Sequence, residues 1–311
     1  MPIEQFEILA GDGEAISAAF YSDGSRPAKG VVIVVYGFGE HAGSYGELAQ
    51  KFAEAGFAAV VFDQRGHGAR YATAGGLQPE ADGQGERGAK RPTAGSKDMR
   101  GIIPSYQCFL DDIEAVCEAA KQKAPGVPVS LFGHSMGGNI VINYLLRHEQ
   151  SDYACAILET PWLGLQKKIN PLITFLAKII GRLSPNVAII NKLSPCDLTG
   201  DAKMAEGFKN DPLYHNRISL RMFTGINNGC KYALANASKL TLPIFLASAR
   251  EERIVSNRAI AQFANDAGSN VTEKDYKSCH AIHNDGDREA FFEDAIGFLN
   301  AHCPEKPEIR S

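Results

Sequence analysis

Short apolar runs that alternate with helix-like segments constrain the fold of this chain most strongly. Residues 30–37 (GVVIVVYG) and 56–63 (GFAAVVFD) are apolar at nearly every position, as in strands buried on both faces. The segment between them, SYGELAQKFAEAG, has the spacing of a helix. A strand, a helix and a second strand in this order predict an α/β fold, with a mostly parallel sheet flanked by helices.

The same alternation extends over most of the 311 residues. Two short strands are expected around the Gly11–Asp12–Gly13 turn. Further strands are predicted at 127–133, 153–159, 242–248 and 271–276, and helices near 104–123, 136–148, 256–267 and 287–302. Residues 160–240 show helical patches and no convincing strand. We therefore predict a core of residues 1–159 and 241–311, with an α-helical cap of residues 160–240 inserted after the sixth strand.

Composition narrows the functional class and the compartment. A net charge of −4, without any block of like charges, argues against a nucleic-acid partner. The first residues lack the basic and apolar regions of a secretory signal, and no uncharged apolar run approaches the ~18 residues of a membrane span. The seven scattered cysteines fit reduced thiols, so a cytoplasmic location is expected.

The strongest local motif is GHSMG at residues 133–137, between an apolar strand and an apolar helix. A sharp turn from strand to helix holds its serine exposed at the sheet edge, and the flanking glycines avoid collisions there. Ser135 is therefore the candidate nucleophile. A match by chance is the alternative, but the strand, turn and helix context argues against it.

A serine nucleophile needs a base, and the base needs an orienting acid. In folds of this kind the chain order is serine, acid, histidine. Downstream of Ser135, only YKSCHAIHND places a histidine just after a strand of the sheet, and His280 lies nearer the strand end than the alternative, His283. His283 is expected to cap or orient the last helix. The spacing of His280, His283, Asp285 and Asp287 also permits a metal site, but its ligand set is irregular, so no metal or cofactor is expected.

The acid must follow the preceding strand, in the segment SAREERIVSN. Both Glu251 and Glu252 lie at a suitable distance beyond that strand, and the residue pattern alone leaves the choice open. Whichever carboxylate is not used is expected to be ordinary surface charge.

A reacting ester also needs donors for its oxyanion. One is expected from the N–H group of Met136, directly after Ser135, and the second from the N–H group of Phe38 in the loop YGFGEHAGSY. Gly37 and Gly39 let the backbone approach the reacting centre. A phosphate-binding loop is the rival interpretation, but the segment has neither GxGxxG nor a P-loop lysine.

Taken together, these motifs resemble the monoacylglycerol lipase and lysophospholipase branch of the α/β-hydrolases, which is also grouped with serine aminopeptidase-like hydrolases. The similarity covers most of the chain and lies in YGFGEHAGSY, VVFDQRGHG, FGHSMGG, DPLYHNRISLRM, EERIVS and YKSCHAIHND. It implies the α/β-hydrolase fold, Ser135 as nucleophile and His280 as base. In the family's acid turn the carboxylate stands two residues before the aliphatic pair, which selects Glu252.

The chain departs from the family pattern at three places. Glu252 stands where the family usually has aspartate, and Tyr36 stands where it usually has histidine, which can alter the acyl or alcohol pocket. The glycine-rich and charged segment 70–101 is longer than in relatives of this kind and can restrict or widen the substrate entrance.

The cap contains an amphipathic segment, KKINPLITFLAKIIGRL. Lys178 and Arg182 lie opposite a broad apolar face formed by Ile169, Leu172, Ile173, Leu176, Ile179, Ile180 and Leu183. This face is expected to pack the cap onto the core; alternatively it lines an acyl channel or makes transient contact with a membrane surface.

The resemblance thus implies a carboxylic ester hydrolase that acts through an acyl-enzyme on Ser135, with a monoacylglycerol or lysophospholipid as its small-molecule acyl-ester substrate. Two alternatives remain. One is another serine hydrolase on the same fold, such as an aminopeptidase or a phenolic-ester esterase. The other is a ligand-binding protein with slow turnover.

Overall fold

The computed structural model describes residues 2–72, 98–167, 170–184 and 186–303. An eight-stranded sheet forms its centre, in the order β1-β2-β4-β3-β5-β6-β9-β10. The strands of the described residues are β1 (Ile3–Leu9), β2 (Ala15–Tyr21), β3 (Val31–Val35), β4 (Ala58–Phe62), β5 (Val129–His134), β6 (Ala156–Glu159), β7 (Ala188–Ile190), β8 (Arg217–Ser219), β9 (Ile244–Ala249) and β10 (Val271–Tyr276). Only β2 runs against its neighbours in this sheet, which confirms the predicted mostly parallel α/β architecture.

Helices cover both faces of the sheet. They are α1 (Gly46–Glu54), α2 (Gln107–Lys123), α3 (Met136–Leu145), α4 (Pro171–Leu183), α5 (Pro195–Leu198), α6 (Ala202–Asn210), α7 (Leu220–Asn236), α8 (Asn257–Ala267) and α9 (Arg288–His302). Among the described residues, no helix is both long enough and apolar enough to cross a membrane.

Strand β3 illustrates why the central strands are apolar at every position. Val31, Ile33 and Val35 belong to the apolar core on one side of the sheet. Val32 and Val34 belong to the core on the other side. Because successive side chains of a strand point to opposite faces, a strand covered on both sides has no solvent-facing position, which favours apolar residues throughout. Each such side chain contributes about 1.5–3 kcal/mol through burial.

The segment between β6 and β9, residues 160–243, carries α4 to α7 and is called the insertion below. The expectation of no strand here was wrong, because β7 and β8 pair as a small antiparallel sheet, with Ala188 opposite Ser219 and Ile190 opposite Arg217. Each strand has only three residues, too few to show a period of two. Helix α7 packs against α3 of the core and against α4.

The carboxyl ends of the parallel strands meet at one edge of the sheet. The segments that leave β3, β5, β6, β9 and β10 there contain all the candidate residues of the sequence analysis. In open α/β sheets, ligands bind outside these carboxyl ends.

Candidate active site

Ser135 occupies a strained turn between β5 and α3. Its backbone has φ 52° and ψ −113°, in the region of positive φ that side chains rarely adopt. A Cβ atom at Gly137 would lie 1.9 Å from the carbonyl oxygen of Val35, so only glycine fits there. The turn is held on both sides: the Ser135 N–H group donates to the Glu159 carbonyl (3.0 Å), and the Ser135 carbonyl accepts from Trp162 N–H (2.8 Å).

His280 and Glu252 are joined by a buried hydrogen bond. Nδ1 of His280 lies 2.6 Å from Oε2 of Glu252, and 1% of His280 and 7% of Glu252 are exposed. The other carboxylate oxygen of Glu252 accepts the backbone N–H groups of Ile254 (2.7 Å) and Val255 (3.1 Å). The glutamate therefore divides its two oxygens between its own turn and the histidine.

The structure brings Glu252, and not Glu251, to the histidine. Glu251 is exposed at its side chain, and its backbone N–H group donates to the carbonyl of Ser278 (3.1 Å). Because Glu252 points inward from the same turn, the two adjacent carboxylates have different environments.

The two ionisable groups of this pair stabilise each other's charged form. Burial raises the pKa of Glu252, but the charge of His280 and the hydrogen bonds to the carboxylate outweigh burial, so the pKa lies below its ordinary value. Burial lowers the pKa of His280, but the charge and hydrogen bond of Glu252 outweigh it and the pKa is raised. An orienting carboxylate behind a general base has this electrostatic effect.

The two candidate oxyanion donors lie in the loop after β3 and at the start of α3. Phe38 and Met136 are buried, and among the described residues neither of their backbone N–H groups has a hydrogen-bond acceptor. The N–H group of Met136 is one of the unpaired donors of a helix N-terminus. Both groups are therefore available to an anionic oxygen.

Glu40 organises the loop that carries Phe38, a role that the sequence analysis missed. Its Oε2 accepts the Gly37 N–H group (2.7 Å) and the Tyr45 hydroxyl (2.6 Å), and its Oε1 accepts the hydroxyl of Tyr214 from the insertion (2.6 Å). The Tyr45 hydroxyl is also 2.7 Å from Nδ1 of His134, the residue before Ser135. One carboxylate thus connects the loop that carries Phe38, the turn at Ser135 and the insertion.

A second buried pair of histidine and glutamate lies beside the first. Nδ1 of His283 is 2.8 Å from Oε2 of Glu159, and the backbone N–H group of His283 donates to Oε1 (3.0 Å). The expectation that His283 caps or orients the last helix was wrong, because its ring is 2% exposed and bonded to the end of β6. A carboxylate at the end of a strand that is otherwise fully apolar was the sequence signal for Glu159.

The ring of Tyr36 is fully buried, and its hydroxyl accepts the Gln64 N–H group (2.7 Å). Among the described residues, no cluster of three or more His, Cys, Asp or Glu side chains has the arrangement of a metal site. Of the long segment 70–101, residues 73–97 lie outside the described residues.

The strand order, the turn at Ser135 and the helices on both faces define an α/β-hydrolase fold. Residues 26–287 match the family described as serine aminopeptidase, S33 (Hydrolase_4), and the chain belongs to that family. The resemblance found in the sequence motifs is thereby confirmed.

Several relatives are similar to the chain over most of its length. The monoacylglycerol lipase of Mycolicibacterium smegmatis is 24% identical over 279 residues, which are 88% of this chain and 89% of that protein. The phospholipase YtpA of Bacillus subtilis is 24% identical over 275 residues, 88% of this chain and 95% of that protein. An uncharacterised abhydrolase domain-containing protein of Dictyostelium discoideum is 27% identical over 91% of this chain, but the chain spans only 27% of its length.

Solved structures agree with the fold. The crystal structure of Paleococcus ferrophilus monoacylglycerol lipase superposes with a TM-score of 0.76 at 25% identity, covering 92% of this chain and 99% of that one. A monoglyceride lipase variant from Saccharomyces cerevisiae reaches a TM-score of 0.77 at 22% identity, covering 97% and 94%.

Proposed function

We propose that the protein is a serine carboxylic ester hydrolase that cleaves single-chain lipid esters, with monoacylglycerols or lysophospholipids as its substrates. The observation that carries this proposal is the buried hydrogen bond between Glu252 and His280 at the sheet edge that also holds the strained turn of Ser135. A carboxylate, an imidazole and a serine in this chain order are the parts of a nucleophilic triad.

The proposed reaction uses only side chains and backbone groups of this chain and water. His280 removes the proton of the Ser135 hydroxyl while its oxygen attacks the ester carbonyl, and Glu252 orients and stabilises the resulting imidazolium. The N–H groups of Phe38 and Met136 donate to the oxyanion. His280 then protonates the leaving alcohol, and water, activated by the same histidine, hydrolyses the acyl-enzyme and frees the fatty acid.

The substrate class rests on relatives and on one surface of the insertion. The relatives named above include a monoacylglycerol lipase and a phospholipase. Among the described residues, seven of the ten large apolar side chains that remain exposed lie within residues 176–190. They are Leu176, Ile179, Ile180, Leu183, Val187, Ile189 and Ile190, and we call them the apolar patch.

The apolar patch favours contact with a lipid surface over packing onto the core. Among the described side chains of α4, Ala177 and Gly181 are buried, whereas Leu183 remains 79% exposed. The expectation that the apolar face of this helix packs the cap onto the core is therefore wrong for its four described members, Leu176, Ile179, Ile180 and Leu183. Exposed apolar surface of this kind marks an interaction site, and a transient contact with a membrane or a lipid aggregate would supply the substrate.

The proposal is tested by labelling and by a substrate panel. A fluorophosphonate probe should modify the wild-type protein and leave Ser135→Ala unlabelled; a folded wild-type protein that resists the probe would rule out the hydrolase. The panel contains p-nitrophenyl esters of increasing chain length, a monoacylglycerol, a lysophospholipid and an aminoacyl amide. Preference for the long acyl chains supports the lipid substrate, and turnover of the aminoacyl compound would assign the protein to peptidase chemistry instead.

A further inference from the structure

Two histidines, the buried His67 and the part-buried His215, lie beside the oxyanion loop and have no role in the proposed reaction. The ring centroids of His67 and His215 are 4.9 Å apart. The ring of Phe38 packs edge-on against both, at 6.0 Å from His67 and 5.6 Å from His215. His67 follows β4 in the core and His215 belongs to the insertion. The pair therefore lies where the insertion meets the residue whose N–H group is the proposed oxyanion donor.

The backbone of His215 is locked to that loop. Its N–H group donates to the carbonyl of Gly39 (2.9 Å). Gly39 has φ +81°, and a Cβ atom there would lie 2.2 Å from the carbonyl oxygen of His215. A glycine is required for this close approach. The position of the His215 ring relative to the loop is thus fixed by the backbone.

Three ring nitrogens of the pair are buried without a partner. They are Nε2 of His67 and both Nδ1 and Nε2 of His215, none of which has a hydrogen-bond partner of normal geometry among the described residues, although the Gly66 backbone lies near the His215 ring. Nδ1 of His67 is 3.0 Å from the carbonyl of Arg65, which can only accept, so Nδ1 carries the proton and Nε2 presents a lone pair. Buried polar atoms are almost always paired, so three unpaired nitrogens in adjacent rings call for a ligand.

The pair is uncharged near neutral pH. Burial lowers the pKa of His67 to about 4. Burial, together with the nearby His67 and Arg100, lowers the pKa of His215 to about 2, although Asp98 and the Gly66 backbone act in the opposite direction. Two neutral imidazoles offer a fixed acceptor on His67 and a donor and an acceptor on His215. A neutral group that both accepts and donates a hydrogen bond, such as a hydroxyl, fits this pair better than an anion.

We propose that His67 and His215 form a subsite that binds a free hydroxyl of the alcohol part of the ester. In a monoacylglycerol, a carbon adjacent to the esterified one carries such a hydroxyl, whereas the methyl ester of the same acid has none. The subsite deepens the proposed function and rests on it, because it makes the free hydroxyl of the leaving alcohol a determinant of specificity. Buried polar groups that lose their partner discriminate strongly against a substrate that lacks it.

The test compares two esters of one fatty acid, 1-monolauroylglycerol and methyl laurate. In His215→Leu, the ratio of their kcat/KM values should fall about tenfold, the factor that one hydrogen bond contributes. His215→Asn restores a donor and an acceptor and should recover part of the ratio. The matched control is His148→Leu, since His148 bonds the Tyr144 carbonyl near the end of α3. Its ratio should equal that of the wild type.

An unchanged ratio in His215→Leu would overturn the subsite and leave the two rings with a buried water or a packing role. A parallel fall with both esters would also overturn it. A second readout does not need turnover: glycerol binding to Ser135→Ala, observed by saturation-transfer NMR, should disappear when His215→Leu is added. Glycerol binding without turnover of either ester would refute the proposed function and keep the subsite. Turnover of both esters without any effect of His215 on glycerol binding would refute the subsite and keep the proposed function.

Discussion

At the scale of single residues, the acid of the proposed triad sets the protonation of its base. The charge of Glu252 raises the pKa of His280, so His280 is protonated, and inactive as a base, up to a pH above its ordinary value of 6.5. The acidic limb of the kcat/KM profile should therefore rise through a pKa above 6.5.

The substitution Glu252→Gln should lower kcat by about 10²–10⁴-fold, because the carboxylate no longer orients His280 or stabilises its imidazolium. It should also move the acidic limb to lower pH, since the charge that favours protonation is gone. The control Glu251→Gln changes a carboxylate that is exposed in the same turn and should leave both quantities as they are. Steady-state kinetics over the pH range measure both effects; an equal loss in the two variants would show that the turn, and not one carboxylate, matters.

Glu40 is a positioning residue for the oxyanion loop. In Glu40→Gln one of the two oxygens becomes an NH₂ group, which cannot accept from Gly37, Tyr45 or Tyr214. We expect kcat to fall about tenfold to a hundredfold with KM nearly constant, because a displaced loop withdraws an oxyanion donor. Tyr214→Phe removes one contact from the insertion and should cost less. A larger change in KM than in kcat would place Glu40 in substrate binding instead.

The candidate triad could be predicted from the sequence, whereas the network around it could not. Ser135 lies in a local motif, and its partners follow from chain order and the family's acid turn. The contact of Glu40 with Tyr214 joins residues 174 positions apart, and that of Glu159 with His283 joins residues 124 positions apart. Glu159 stands out as a carboxylate in an otherwise apolar strand, but no sequence pattern pairs it with His283, or Glu40 with Tyr214. Only the meeting of β6, β10 and the insertion at one edge of the sheet identifies the pairs.

At the scale of elements, strands covered on both faces were predictable and those of the insertion were not. A strand such as β3 must be apolar throughout, which distinguishes it from its surroundings. Strands β7 and β8 are three residues each, and they are held by pairing with each other, which no local sequence pattern reveals. The sequence located the apolar residues of α4 correctly but assigned them to packing, because periodicity does not reveal what covers a face.

The apolar patch gives a prediction at this scale. The double substitution Leu183→Gln and Ile190→Gln changes two side chains that are 79% and 70% exposed. Binding to phosphatidylcholine vesicles, measured by co-sedimentation, should weaken at least tenfold, since each apolar side chain contributes about 1.5–3 kcal/mol when buried in lipid. Hydrolysis of a water-soluble short-chain ester should stay at the wild-type rate. Leu9→Gln is the matched control, because Leu9 is 72% exposed on β1 of the core. Equal weakening in the control would show that the apolar patch is not responsible for vesicle binding.

At the scale of the whole molecule, the apolar runs predict a mostly parallel sheet, but they do not predict the hydrogen bonds that connect its distant segments. The pair of Glu159 and His283 connects the end of β6 to the loop before α9, and both side chains are almost fully buried. Removing one partner of a buried pair leaves the other without compensation and typically costs about 3–5 kcal/mol of the free energy of unfolding.

The sign of each pKa shift sets the pH window of this contribution. Burial raises the pKa of Glu159, but the charge of His283 and the hydrogen bonds from His283 outweigh burial, so this pKa lies below its ordinary value of 4.5. The contribution of Glu159 to the free energy of unfolding is therefore present above pH 4.5 and is lost as the pH falls. Burial lowers the pKa of His283, but the charge of Glu159 outweighs burial, so this pKa lies above its ordinary value of 6.5. The contribution of His283 to the free energy of unfolding is therefore present below pH 6.5 and is lost as the pH rises through the raised pKa. Both residues contribute their full stabilisation between pH 4.5 and pH 6.5.

The destabilisation caused by Glu159→Gln should therefore be largest in that window, at about 3 kcal/mol, and smaller on both sides of it. Urea unfolding of wild type and variant at a series of pH values measures the difference, and Glu251→Gln, which alters an exposed carboxylate, should show none at any pH. A difference that is constant from pH 5 to pH 9 would mean that Glu159 acts through its hydrogen bonds and its packing rather than through its charge. Because the proposed reaction needs a neutral His280, the same electrostatic logic places the highest kcat/KM above the pH at which this buried pair contributes most to stability.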